Sequence, residues 1–162
     1  MEHEDRARNE ARAAAVALVQ GLGDTLWGVV LFGSAARGDA TTGSDLDLLV
    51  VADALPDRFS DRMRLLRPAL PRHLRGLVSL VARTRPEFEG VFPALYLDLG
   101  LDGMILYDRD SYMHHRLERI RALAGEAGLT RARTPGGFSW RWASPPTGHW
   151  RVDWSGVRGL RA

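Results

Sequence analysis

Two aspartates one residue apart, Asp45 and Asp47, open the apolar run Leu48-Leu49-Val50-Val51. On a strand, alternate side chains share a face, so these carboxylates project to the same side about 6–7 Å apart along the chain. Paired carboxylates at that spacing suit a hard divalent cation, which takes oxygen ligands. Upstream, the apolar run Val29-Val30-Leu31-Phe32 ends at Gly33-Ser34. Glycine lets a backbone turn approach a ligand closely, and serine adds a hydroxyl and an N–H for phosphate oxygens. Two readings compete for Arg37, in the polar bend that follows: a cation for a triphosphate oxygen, or a solvated loop residue. Acids that hold a cation, beside a turn that cradles phosphate, point to nucleotide chemistry.

The elements that must position these groups follow from pattern. Glu2 to Gln20 reads as a helix with an alanine-rich apolar stripe, stopped by Gly21-Leu22-Gly23. Thr25 to Phe32 is a first strand, and its near-continuous apolar run implies burial on both faces. Gly33 to Gly38 starts as a short turn or helix, where an anion is favoured. Ser44 to Val51 is a second strand. Arg58 to Leu70 has helical spacing, with Pro68 and Pro71 distorting its end. Gly76 to Ala82 is a third strand, and Thr84-x-x-Glu87 has the spacing of a capping box. Pro93 to Leu101 is expected to be helical and Met104 to Tyr107 a fourth strand. Asp110 or Ser111 is expected to cap a helix from Tyr112 to Ala127.

At 162 residues, one domain of ordinary globular composition is expected. With no cysteine there is no disulfide scaffold and no thiolate metal site. No apolar run approaches the roughly 20 residues of a membrane helix. The acidic start MEHEDRARNEAR is no signal peptide. A cytoplasmic, membrane-free protein is expected. The net charge of +2 does not demand nucleic acid. Every basic residue apart from histidine is arginine; codon bias explains this more simply than phosphate contacts, because arginine is spread through every segment.

The string GSAARGDATTGSDLDLLVV, with Gly33-Ser34 ten residues before Asp45-x-Asp47, resembles the G-S-x(n)-D-x-D motif of the DNA polymerase β-like nucleotidyltransferases. The Arg and Gly after G-S are similar to the minimal (MNT) branch. The resemblance is specific over residues 25–52 and looser to about residue 110. It implies an α/β (α+β) fold: a small mixed twisted β-sheet, palm-like, with helices packed on one side. It implies that Asp45 and Asp47 are catalytic and hold Mg²⁺ or Mn²⁺, and that Gly33, Ser34 and Arg37 bind the nucleotide. The substrate would be an NTP such as ATP, its NMP group moving to a hydroxyl of a protein or small molecule. Members of this branch often pair with a HEPN-domain protein and act as antitoxins, so a HEPN partner is expected.

One part of the family pattern is missing. These enzymes usually carry a third carboxylate on the neighbouring strand, where this sequence has Ser79. Serine is neither an anionic ligand nor a base near neutral pH. Glu87, Glu89, Asp98 or Asp102 are the available substitutes, with Asp98 the most central, although a capped or surface acid is the simpler reading of it. The alternative function is therefore a weak or inactive nucleotidyltransferase-fold module that binds nucleotide or a partner. His114 and His115 are adjacent on a helix and cannot chelate together.

Residues 131–162 change character and form a Trp/Arg-rich extension to a domain spanning 1–130. Thr134-Pro135-Gly136-Gly137 is a break. The alternating segments 138–142 and 150–154 are expected to pair as a hairpin with tryptophans on one face, and residues 155–162 to be disordered. Aromatics alternating with arginine can stack single-stranded bases. Covering an edge of the domain or a partner surface is the favoured role for these tryptophans.

Overall fold

A four-stranded mixed sheet forms the centre of the computed structural model, which describes residues 2–135 and 137–160. Its strands are β1 (Leu26–Phe32), β2 (Leu46–Ala52), β3 (Val78–Arg83) and β4 (Met104–Asp108), in the order β3-β2-β1-β4. β1 runs antiparallel to both neighbours, and β2 is parallel to β3. A parallel pair needs a crossover. Helix α3 (Phe59–Leu66) lies in it.

Helices cover both faces of the sheet, where the sequence suggested one. On the first face, α1 (Glu2–Leu22) and α3 set Ala11, Ala14, Leu18, Met63 and Leu66 against Leu48, Val50 and Leu80. On the second, α5 (Leu95–Asp102) and α6 (Tyr112–Glu126) set Leu99, Met113, Leu117 and Ile120 against Val30, Leu49 and Val51. The reason lies in β1 and β2, whose side chains are apolar on both alternations and need two covers. Leu18, Leu48, Leu66 and Leu99 are wholly buried, each removing from water a side chain that stabilises by about 1.5–3 kcal/mol. Among the described residues no helix is long and apolar enough to cross a membrane.

Local chemistry sets the ends. α3 stops at Leu66, and Arg67–Ala69 tightens into a 3-10 turn, because Pro68 cannot continue the α ladder. Short helix α4 (Arg85–Gly90) begins in the expected capping box: Thr84 N–H donates to Glu87 at 2.9 Å, and Glu87 N–H to the Thr84 hydroxyl at 3.3 Å. Buried Arg62 of α3 donates twice to Glu87, at 2.6 and 2.8 Å, and once to Ala82 O at 3.0 Å. The α6 start differs from expectation. Asp110 and Ser111 both adopt positive φ and make the turn, while the Asp108 carboxylate accepts the N–H groups of Met113 and His114 at 2.8 and 2.9 Å.

The C-terminal segment forms two hairpins, paired otherwise than its alternation suggested. β5 (Leu129–Thr134) pairs with β6 (Gly137–Trp142), and β7 (His149–Asp153) with β8 (Gly156–Leu160). The expected break at 134–137 is the hairpin connection, with Thr134 opposite Gly137; Gly136 within it lies outside the described residues. Residues 156–160, expected to be disordered, are a strand, and residues 161 and 162 lie outside the described residues. The pairing went unread because Leu129–Thr134 is rich in arginine and shows no apolar stripe. Tryptophans still meet across the hairpins, with Trp142 and Trp150 edge to face at 4.4 Å. Trp154 packs back on the helices over the sheet: it donates to the carbonyls of Phe88 and Val91 at 3.2 and 3.0 Å and meets the rings of Phe88 and Phe92 tilted and edge-on.

Candidate active site

Asp45 stands just before β2 and Asp47 is its second residue. Leu46 and Leu48 point to the α1 side, so the period of two turns both aspartates toward the α5 side with Leu49. Asp45 is exposed and Asp47 half-buried. The Asp47 carboxyl is held above its ordinary value of 3.8, chiefly by burial and then by the negative charge of Asp45. The neighbouring Ser79 hydroxyl and the charge of Arg37 oppose the rise without cancelling it. Ser79 is the direct partner of Asp47 in the parallel β2–β3 ladder.

The turn after β1 meets the same carboxylate. Phe32 pairs with Asp47 across the antiparallel ladder, which delivers Gly33 to its side chain. Gly33 has φ of +72°, and a Cβ there would collide with Asp47 Oδ2. Only glycine combines that conformation with that approach. The chain then forms the single turn α2 (Gly33–Arg37), and the Ser34 carbonyl accepts N–H groups from Gly38 and Asp39 at 3.0 and 3.1 Å. Arg37 ends this turn. Its guanidinium binds Asp39 through Nε at 3.2 Å and Nη2 at 3.1 Å, and lies 5.0 Å from the Phe138 ring centre. Gly33, Arg37, Asp45 and Asp47 are thus grouped, with Ser34 next in the chain. Asp39 and Phe138 were missed. Asp39 was legible from its spacing to Arg37, whereas nothing local announces Phe138.

None of the four substitute acids is free. Glu87 is bound by Arg62, which pulls its carboxyl down to about 2. Glu89 pairs with Arg116 and accepts from the Tyr112 hydroxyl at 2.9 Å. Asp102 takes both terminal nitrogens of Arg131. Asp98 accepts from Arg131 at 3.4 Å and from the Trp140 indole at 3.1 Å. Among the described residues no group of three or more His, Cys, Asp or Glu side chains is placed to hold a metal. His114 and His115 are exposed on α6, and His114 faces Glu118 at 3.2 Å.

This strand–turn–strand with paired acids defines a nucleotidyltransferase fold, and the nucleotidyltransferase domain family matches residues 24–91. A candidate protein adenylyltransferase of Methanocaldococcus jannaschii is 35% identical over 108 residues, covering 64% of this chain and 74% of that one. The chain belongs to the nucleotidyltransferase domain family. Solved structures agree in fold. A toxin–antitoxin crystal structure with AMP-PNP contains a chain matching at a TM-score of 0.53 and 20% identity, over 70% of this chain and 86% of that one. A chain in the structure of the tri-AMPylated Shewanella oneidensis HEPN toxin in complex with MNT antitoxin matches at 0.50 and 17% identity, over 74% of this chain and 87% of that one.

Proposed function

We propose that the chain is a divalent-metal-dependent adenylyltransferase that moves AMP from ATP to a hydroxyl of a protein, releasing pyrophosphate. The observation that carries this reading is the pair Asp45 and Asp47 on one sheet face, with the bare backbone of Gly33 against Asp47 and the Arg37 charge within reach. The name of the Methanocaldococcus relative supports adenylyl transfer to protein. The Shewanella complex supports a HEPN-type acceptor. Residues 131–162 are read as an extension to this transferase domain.

The residues fit a hard cation. Both donors are carboxylates, and burial followed by the charge of Asp45 holds the Asp47 carboxyl above its ordinary value, as a carboxylate awaiting a cation would be. Asp45 and Asp47 would hold Mg²⁺ or Mn²⁺. A bound divalent cation supplies charge neutralisation for the triphosphate. The backbone at Gly33-Ser34 and the Ser34 hydroxyl donate to phosphate oxygens, and Arg37 adds a guanidinium for a further one. Ser79, the ladder partner of Asp47, offers it a hydroxyl donor. In the transfer, the acceptor oxygen bonds to the α-phosphorus, the bond to pyrophosphate breaks, and the hydroxyl proton goes to solvent.

One observation favours a second reading, a nucleotide-binding module with little turnover. Ser79 stands where a third acid is expected, and Glu87, Glu89, Asp98 and Asp102 all have cationic partners. Incubation with labelled ATP and Mg²⁺ or Mn²⁺, with and without a HEPN protein encoded beside it, separates the two. The enzyme labels its acceptor, and the double substitution Asp45→Asn plus Asp47→Asn cuts labelling about a hundredfold or more, since a bound metal stabilises the transition state by several kcal/mol. ATP binding with no labelling of protein or small molecule selects the second reading. Undiminished labelling by the double variant sinks the site.

A further inference from the structure

The hairpin β5–β6 reaches the residue that ends α2. Arg131 and Arg133 alternate on β5 and so share a face, and Arg133 is the direct cross-strand partner of Phe138. The Phe138 ring collects three guanidiniums: Arg131 at 4.4 Å from its centre, Arg37 at 5.0 Å and Arg133 at 5.6 Å. Arg131 and Trp140, also cross-strand partners, are tied to α5 through Asp102 and Asp98. The ring is therefore mounted on a hairpin whose neighbouring residues are fixed to the domain, and it presents itself to a side chain whose charge is felt at Asp47.

Among the described residues Arg37 is otherwise held by Asp39 alone, an exposed acid two residues on in the same bend. That bidentate pair holds one edge of the guanidinium, and the partner that holds it is an exposed side chain. An aromatic face fixes the position of a guanidinium while leaving its N–H donors free, because the ring quadrupole attracts the cation without accepting its hydrogen bonds in the guanidinium plane. We propose that Phe138 is a positioning residue for Arg37, so that the C-terminal hairpin belongs to the nucleotide site. The inference rests on the reading of Arg37 as a triphosphate contact. Nothing in residues 24–91, where the family matches, supplies this ring.

The test is calorimetric titration of the full chain with AMP-PNP and Mg²⁺, with thermal melting of each variant. Phe138→Ala and Phe138→Leu are expected to weaken affinity about two- to fivefold, the worth of a half-exposed cation–π contact, with melting close to that of the parent. Phe138→Trp is expected to restore it. Leucine keeps an apolar contact and loses only the π face; it also keeps the test open if the alanine variant fails to fold. Arg37→Ala is expected to weaken affinity more, and adding Phe138→Leu to it to change nothing further. Unchanged affinity in Arg37→Ala removes the nucleotide role of Arg37 and leaves Asp45 and Asp47 to be judged separately. A loss in Arg37→Ala with parental affinity in Phe138→Leu, or additive losses in the double variant, overturns the positioning role alone.

Discussion

Two pairs of acids lie on this domain and are treated in opposite ways. Asp45 and Asp47 are two apart at the start of β2, one just before it and one within it; Asp98 and Asp102 are four apart on α5. Both spacings put two carboxylates on one face. On α5, Asp102 receives a bidentate guanidinium, and Asp98 receives the same arginine and an indole N–H. On the strand, Asp47 faces the neutral Ser79 as its ladder partner and the distant charge of an arginine already bonded to Asp39. The helix pair is tied directly to an arginine from within the chain, and among the described residues the strand pair has no ion pair of its own. An acid pair with its own counter-cation is part of the fold. A pair without one is a cost to the fold, and a ligand cation with a nucleotide is what the proposed function sets against that cost.

The comparison breaks most visibly at Arg131. Its side chain and that of Asp102 are only 12% and 13% exposed. Arg131→Ala leaves Asp102 without a partner and Asp98 with Trp140 alone. It is expected to cost about 2–3 kcal/mol, because stranding a largely buried charge is worse than never burying it. For a domain this size that is roughly 5–10 °C in melting temperature. A shift under about 1 °C would make the α5 pair no more structural than the strand pair.

Gly33→Ala probes the other side. The φ of +72° carries an intrinsic penalty of about 1–2 kcal/mol for a residue with a Cβ. The new methyl must also displace the Asp47 carboxylate. Both stability and labelling by ATP are expected to fall, with labelling falling further than melting explains. Full labelling by this variant would show that the close approach of turn and carboxylate has no part in the site.

The strand pair was legible because its meaning is local. Two apolar runs, a Gly-Ser and an alternating acid pair fix strands, turn and face within about twenty residues, and ladder register then brings Gly33 to Asp47. The absent acid was legible too, since Ser79 falls opposite Asp47 once β3 is taken as the parallel neighbour. The fate of Asp98 was not. Its partners Arg131 and Trp140 lie more than thirty residues on, in a hairpin whose first strand has no apolar alternation. Phe138 was hidden for the same reason. Helix placement on both faces was implicit in β1, whose continuous apolar run already required two covers; the family likeness pulled the expectation to one.

The subtlest expected effect is also the sharpest contrast. An acid whose pKa is raised on folding binds its proton more tightly in the folded state. Stability then falls as pH rises through a window that begins near the ordinary value of 3.8 and extends above it. At neutral pH Asp47 therefore works against folding. Asp47→Asn is expected to melt slightly higher than the parent at pH 7, with the difference shrinking to nothing below about pH 3–4, where the aspartate is protonated in both states. Asp98→Asn is expected to melt lower at pH 7, since the amide loses the charge that faces Arg131. Adding Mg²⁺ and AMP-PNP should raise the parent and not Asp47→Asn, because a ligand stabilises only the form that binds it. Two aspartate-to-asparagine changes with the same sign at pH 7 would mean that both pairs serve the fold alike.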